Sequence, residues 1–224
     1  PEFFSADAVR RHAGHTKARV ITSIAMFYDL ERPLDFVEQV LAVLADDGIW
    51  VFEQSYLPSM VATHSYDTVC HEHLEYYTLK QIVFIANKLG LKIVDVALND
   101  VNGGSFSLTV AKRNSPYREA QAKVSRILAD EQAQGYDTVV PLDNLNAAMH
   151  RHRDDLRDLL ESLSREGKKV FGYGASTKGN VLLQFCGINS KYLPCIAEVN
   201  EEKFGAFTPG TKIPIVSETE ARSR

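Results

Sequence analysis

The chain has 224 residues, enough for one large domain or two small ones. With 45% hydrophobic and 24% charged residues it reads as an ordinary globular protein, and a net charge of −4 offers no basic field to nucleic acid. The longest apolar runs are strand-sized, which speaks against a membrane partner. Three cysteines without paired spacing (Cys70, Cys186, Cys195) suit a reducing, cytoplasmic compartment better than a disulfide framework.

In chain order, Pro1-Glu2-Phe3-Phe4 opens without an initiator Met or a signal peptide and reads as the middle of something longer. Residues 19–28, RVITSIAMFY, form an apolar run expected to be a buried strand. Pro33 then starts a helix with Leu34, Val37, Val40, Leu41 and Leu44 on one face, and Asp47-Gly48 is expected to stop it. Ile49–Phe52 is the next strand. Residues 57–77 have no clear period and hold three of the seven histidines. Thr78 and Gln81 form a capping box for a helix closed by Gly90. Strands 91–98 and 105–111 follow, joined through Asn102-Gly103-Gly104 as a hairpin. This order is that of the second half of a doubly wound α/β domain whose last two strands pair antiparallel. Residues 117–166 read as two helices broken near Tyr136–Pro141. The second carries the stripe Leu142, Leu145, Met149, Leu156, Leu159, Leu160 and Leu163. A second α/β unit begins at Lys168, with strands VFGYG, YLPCIAEV and 212–216 around a helix over 177–186. The domain boundary is placed near 115, giving 1–115 and 116–224.

Four segments could carry chemistry. Cys70-His71-Glu72-His73-Leu74-Glu75-Tyr76-Tyr77 precedes a helix, where α/β sites gather. Two histidines are too few for zinc, and no second ligand cluster stands at metal spacing, so no metal site is assigned. A satisfied polar loop and an acid–base site both remain open, the latter because an imidazole titrates near neutrality and an adjacent carboxylate orients it. Gly172-Tyr173-Gly174-Ala175-Ser176-Thr177-Lys178-Gly179-Asn180 follows a strand and opens a helix. Close backbone approach, free N–H groups and one cation suit a phosphate or diphosphate, and tight strand–helix packing is the plainer alternative. Glu198 ends the following strand, where an acidic residue can hold ribose hydroxyls. Asn102-Gly103-Gly104-Ser105 is a turn that could face a ligand, and Glu53-Gln54-Ser55-Tyr56 ends a strand at the crevice side.

His71-Glu72-His73 with Tyr76-Tyr77, the Asn102–Ser105 turn, the 172–180 loop and Thr208-Pro209-Gly210-Thr211-Lys212-Ile213-Pro214-Ile215 occur in this order. Together they resemble the nucleotide-sugar C-methyltransferases, which include ketosugar C-3 methyltransferases. The resemblance implies a partial class I methyltransferase (Rossmann-like) domain followed by a second α/β domain. It implies S-adenosylmethionine as methyl donor and a nucleotide-linked sugar as substrate. A small zinc-binding domain and the Gly-rich half of the methyltransferase domain would lie outside this chain. His73 would be the base that deprotonates carbon beside a ketone, with Glu72 orienting it and His71, Tyr76 and Tyr77 nearby. Tyr56, Asn102, Gly174, Ala175, Ser176, Thr177, Lys178, Asn180 and Glu198 would meet the substrate, and Ser23, Ala25 and Met26 the donor. Cys70 replaces a usual Tyr and Asp29 a usual His, so O-methylation or methylation of another acceptor is the alternative. A nucleotide-sugar-binding module without catalysis is a further one, and a nicotinamide oxidoreductase would need a fingerprint that is incomplete here.

Overall fold

The computed structural model describes residues 2–224. The chain divides into two compact units, one running to Ser65 and then over Glu72–Leu142, the other over Tyr66–His71 and Asp143–Arg224. The division therefore falls at Leu142/Asp143, where the sequence suggests 115. The reason is α5 (Gln121–Ala133), whose Ile127 is buried in the core of the first unit.

In the first unit α1 (Ala6–Ala13) leads into β1 (Ala18–Ile24), α2 (Pro33–Val43), β2 (Leu44–Ser55), α3 (Leu57–Ala62), α4 (Leu79–Lys88), β3 (Leu91–Asn99) and β4 (Ser105–Lys112). The sheet order is β1-β2-β4-β3, with β1 and β2 parallel and β4 antiparallel to both of its neighbours. The expected antiparallel pair of last strands is present, and β4 inserts between β2 and β3. On β2 the alternating residues Trp50, Phe52 and Gln54 are buried, as the period of a pleated strand requires. They pack with Val37 and Val40 of α2 and with Leu79 and Ile82 of α4. The opposite side carries the exposed Val20 and Ile24.

Two boundaries differ from the sequence reading. β1 ends at Ile24, because Ala25 turns into the left-handed region (φ 52) and Phe27–Asp29 forms a single 3-10 turn. The helix stop also comes early: α2 ends at Val43, and Asp46, Asp47 and Gly48 lie inside β2. Gly48 acts there through size, since a Cβ would stand 2.9 Å from the Ala18 carbonyl oxygen of the paired strand.

The second unit contains most of α6 (Val140–Arg165), then β5 (Gly172–Tyr173), α7 (Thr177–Phe185), β6 (Ile196–Glu198), β7 (Ile215–Ser217) and α8 (Glu218–Ser223). Its three strands are parallel in the order β5-β6-β7. The strands are shorter than the apolar runs suggest. Of the α6 stripe, Leu145 and Leu160 are buried, whereas Leu142 and Leu159 are exposed and do not belong to it. Leu160, Leu183, Cys186, Ile188, Ile196 and Ile213 make the core. The inserted segment 66–71 is anchored by Tyr66, whose buried hydroxyl lies 2.7 Å from His152 Nδ1. No helix among the described residues is long and apolar enough to cross a membrane.

Candidate active site

In the first unit the loop after Glu72 is clasped by the turn that follows β1. The backbone amides of Leu74 and Glu75 both donate to the Tyr28 carbonyl, at 2.9 and 3.0 Å. The His73 ring lies against the Tyr28 ring, centroid to centroid 4.3 Å and tilted by 53°. His73 is half-buried and Glu72 exposed. Asp29, next to Tyr28, feels both: burial raises its carboxyl above the ordinary range, His73 opposes that rise and Glu72 adds to it. One imidazole thus lies close enough to Asp29 to influence its carboxyl, with its ring against an aromatic neighbour and the two residues that follow it tied by their amides to the Tyr28 carbonyl. Asp29 is the charged residue of this cluster that the sequence reading noted as a departure without giving it a role.

Other residues of the motif separate from this cluster. Cys70 and His71 belong to the segment that packs with the second unit, whereas Glu72 and His73 belong to the first. Tyr76 is half-buried, and Tyr77 is buried with its ring 5.4 Å from Phe27. Asn102 sits in the left-handed region (φ 55) at the turn between β3 and β4, and Gly103 and Gly104 follow with φ 89 and 120. Gly104 is close-packed: a Cβ there would meet the Ser59 Cβ at 2.2 Å.

Two residues expected to meet ligands are committed to partners inside the first unit. Tyr56 is buried, and its hydroxyl donates to Glu131 Oε1 at 2.8 Å, so it ties the end of β2 to α5 and does not face a substrate. The same carboxylate accepts the amides of Leu79 (2.6 Å) and Lys80 (3.2 Å), completing the start of α4, which also has the expected box: Thr78 N donates to Gln81 Oε1 at 2.9 Å. Ser23, expected to meet the donor, is buried and its Oγ accepts the Trp50 indole N–H at 2.9 Å. Ala25 is exposed and Met26 half-buried at the carboxyl end of β1.

In the second unit, the loop after β5 is built from backbone. Gly174 takes φ 82 and donates its N–H to the Ala197 carbonyl at 2.8 Å. Ser176 caps α7, its Oγ accepting Gly179 N at 3.0 Å. Thr177 is exposed, and Lys178 and Asn180 are half-buried on the first turn. Glu198 is a third residue expected to meet a ligand. Its carboxylate accepts three backbone amides, Ala175 N and Val199 N at 2.8 Å and Asn200 N at 3.1 Å, and lies 3.6 Å from Lys203 Nζ. These hydrogen bonds hold its pKa down to about 2. Three of the about four acceptor positions of a carboxylate are taken by these amides, so Glu198 is committed to fastening the loop and is not the open ribose ligand that its place at the strand end suggests. Lys203 reinforces it by donating to the Ala175 carbonyl at 2.7 Å. Glu131 and Lys203 carry no local signal in the sequence, because their partners lie up to 75 residues away. Among the described residues no group of three His, Cys, Asp or Glu side chains could hold a metal ion.

The first unit is therefore an α/β sheet of the kind expected for the second half of a methyltransferase domain, with a histidine–carboxylate cluster beside it. The second is a parallel α/β unit with a glycine-containing loop between β5 and α7. The profile of the C-methyltransferase C-terminal domain matches residues 100–224, and the chain belongs to that family. C-methyltransferase NovU of Streptomyces niveus is 31% identical over 207 residues, 92% of this chain and 49% of that protein. The chain thus spans about half the length of that curated relative. Among solved structures, the plantazolicin methyltransferase BpumL, in complex with a pentazolic desmethylPZN analogue and SAH, overlaps 46% of this chain and 55% of its own at 12% identity. Its TM-score of 0.33 is too low to bear on fold or chemistry.

Proposed function

We propose that this chain serves S-adenosylmethionine-dependent methyl transfer to a carbon of a nucleotide-linked ketosugar, with His73 as the base. The observation that carries the reading is the half-buried His73 imidazole held on the Tyr28 ring, next in the chain to Glu72 and close enough to Asp29 to lower its carboxyl. A base that attacks a carbon acid must be fixed in orientation and must tolerate the positive charge it acquires. The ring contact and the main-chain clasp provide the first, and the two carboxylates the second. His73 takes the proton from the carbon beside the ketone. The resulting enolate carbon forms the new bond to the methyl group, whose bond to sulfur breaks, and the proton stays on the imidazole.

S-adenosylmethionine supplies the methyl group as an electrophile. The exposed left-handed turn at Ala25 opens the carboxyl end of β1, and Ala25 and Met26 are the residues that would border the donor. Ser23, committed to Trp50, would not. In the second unit the amides at the start of α7, with Thr177, Lys178 and Asn180, would receive the diphosphate. Support for this comes from the way Glu198 and Lys203 stiffen the loop from behind.

The test is proton exchange. In the full-length protein incubated with the ketosugar nucleotide in D2O, the proton beside the ketone is expected to exchange, and His73→Asn is expected to slow both exchange and methylation by about 10²–10⁴-fold with little change in substrate affinity. Exchange at the wild-type rate in His73→Asn removes it from the role of base. Binding without exchange in the wild type favours the binding module.

A further inference from the structure

Gln54 breaks a rule that most buried polar side chains of the first unit obey; the Tyr77 and Ser115 hydroxyls are the other exceptions. Gln54 is 1% exposed, and neither its amide nitrogen nor its amide oxygen has a hydrogen-bond partner among the described residues. Buried polar groups in native proteins are satisfied almost without exception, by protein or by ordered water. The Tyr77 hydroxyl, on a residue 5% exposed, is in the same position. The two belong to one place. Gln54 and Tyr56 are two apart on β2 and so share a side of the sheet. The parallel bridge between Tyr56 and Tyr77 lays Tyr77 beside Tyr56. Gln54 is thus the next residue back along that side of the chain from the bridge. Phe27 touches both the Tyr77 ring and that of Phe52, the preceding residue on that side of β2, each at 5.4 Å, so Tyr77 reaches the side of β2 that carries Gln54.

We infer that Gln54 and Tyr77 share a buried water molecule. The three atoms offer a donor, an acceptor and a hydroxyl that can act as either, which is the set a single water needs. The guest is uncharged: burial, and then the nearby Glu75, push the Tyr77 hydroxyl upward, so it stays protonated and presents no anion. Tyr77 stands four residues after His73 and one before the cap of α4, and its carbonyl accepts Leu57 N at 2.9 Å. The water therefore braces the trailing arm of the His73 loop against the central strand. The inference does not depend on the proposed reaction, because it concerns packing within the first unit alone.

Gln54→Leu, Tyr77→Phe and the double variant of the 224-residue chain test it. Oxygen-17 relaxation dispersion is expected to count one long-lived internal water fewer in each single variant. Each single variant is expected to lower Tm by about 2–6 °C, since it strands the remaining partner. The double variant, which removes both partners, is expected to lie within about 2 °C of wild type. An unchanged water count, or single variants that raise Tm additively, overturns the inference. So does a crystal structure with Gln54 bonded directly to Tyr77.

Discussion

Tyr56→Phe separates the position that the strand end suggests from the one the structure gives. The substitution removes a single oxygen from a residue that is 5% exposed. The lost bond is the 2.8 Å donation to Glu131 Oε1, a hydrogen bond to a carboxylate inside the core. Such bonds contribute about 1.5–3 kcal/mol. Glu131 keeps the amides of Leu79 and Lys80, so it is not stranded, and the cost falls in the lower part of that range, about 1.5–2 kcal/mol. For a chain of this size that lowers Tm by about 3–8 °C. Glu131→Ala goes further, because it leaves the Tyr56 hydroxyl and the Leu79 amide buried without an acceptor. It is expected to cost about 3–4 kcal/mol, and Tyr56→Phe should add little to it. Thermal melts followed by circular dichroism read the stability, and calorimetry with a nucleotide sugar on the full-length protein reads the binding. A Tyr56→Phe variant with wild-type Tm and binding weakened tenfold or more would refute the assignment and return Tyr56 to the substrate.

Two further predictions concern the loops. Glu198 has its carboxyl held down to about 2 against an ordinary 4.5, so its stabilisation is complete above about pH 4.5 and is lost as pH falls towards 2. The Tm difference between wild type and Glu198→Gln is therefore expected to shrink between about pH 5 and 3, and a difference constant with pH contradicts the assignment. Gly104→Ala places a Cβ 2.2 Å from that of Ser59 at φ 120. It is expected to cost about 2 kcal/mol or more in urea unfolding, and a neutral result would mean that the β3–β4 turn has another geometry.

What the sequence discloses is the local pattern. The strand at Ile49–Phe52, the helical face of Val37 and Val40, and the Thr78–Gln81 box each act over a few residues, and each is found in the structure. The Asn102–Gly104 turn is legible for the same reason, since positive φ selects Asn and Gly. Boundaries are less legible. Asp46-Asp47-Gly48 reads as a helix stop, yet Gly48 is needed inside β2 because the Ala18 carbonyl approaches it. The fates of Tyr56, Ser23 and Glu198 are illegible, because what decides them is a partner elsewhere in the chain: Glu131, Trp50 and the Ala175 amide. A polar residue at a strand's end looks the same in sequence whether it faces a ligand or a buried neighbour.

The same reasoning bears on His73. Its sequence neighbours alone would make Glu72 its partner, but a residue next in the chain cannot by itself fix where a ring points. Orientation comes from 45 residues away, where the Tyr28 ring lies 4.3 Å from the imidazole and the Tyr28 carbonyl takes two amides of the loop. Asp29 comes with that turn, so the element that aims the imidazole also brings a second carboxylate to it. Burial raises the carboxyl of Asp29 and Glu72 raises it further, while His73 draws it down. Placing positive charge on the imidazole strengthens the one influence that favours the Asp29 anion. On the proposed reading, Asp29 thus stabilises the imidazolium formed when the proton arrives more than it stabilises the free imidazole, and that difference between the two states is what lowers a barrier.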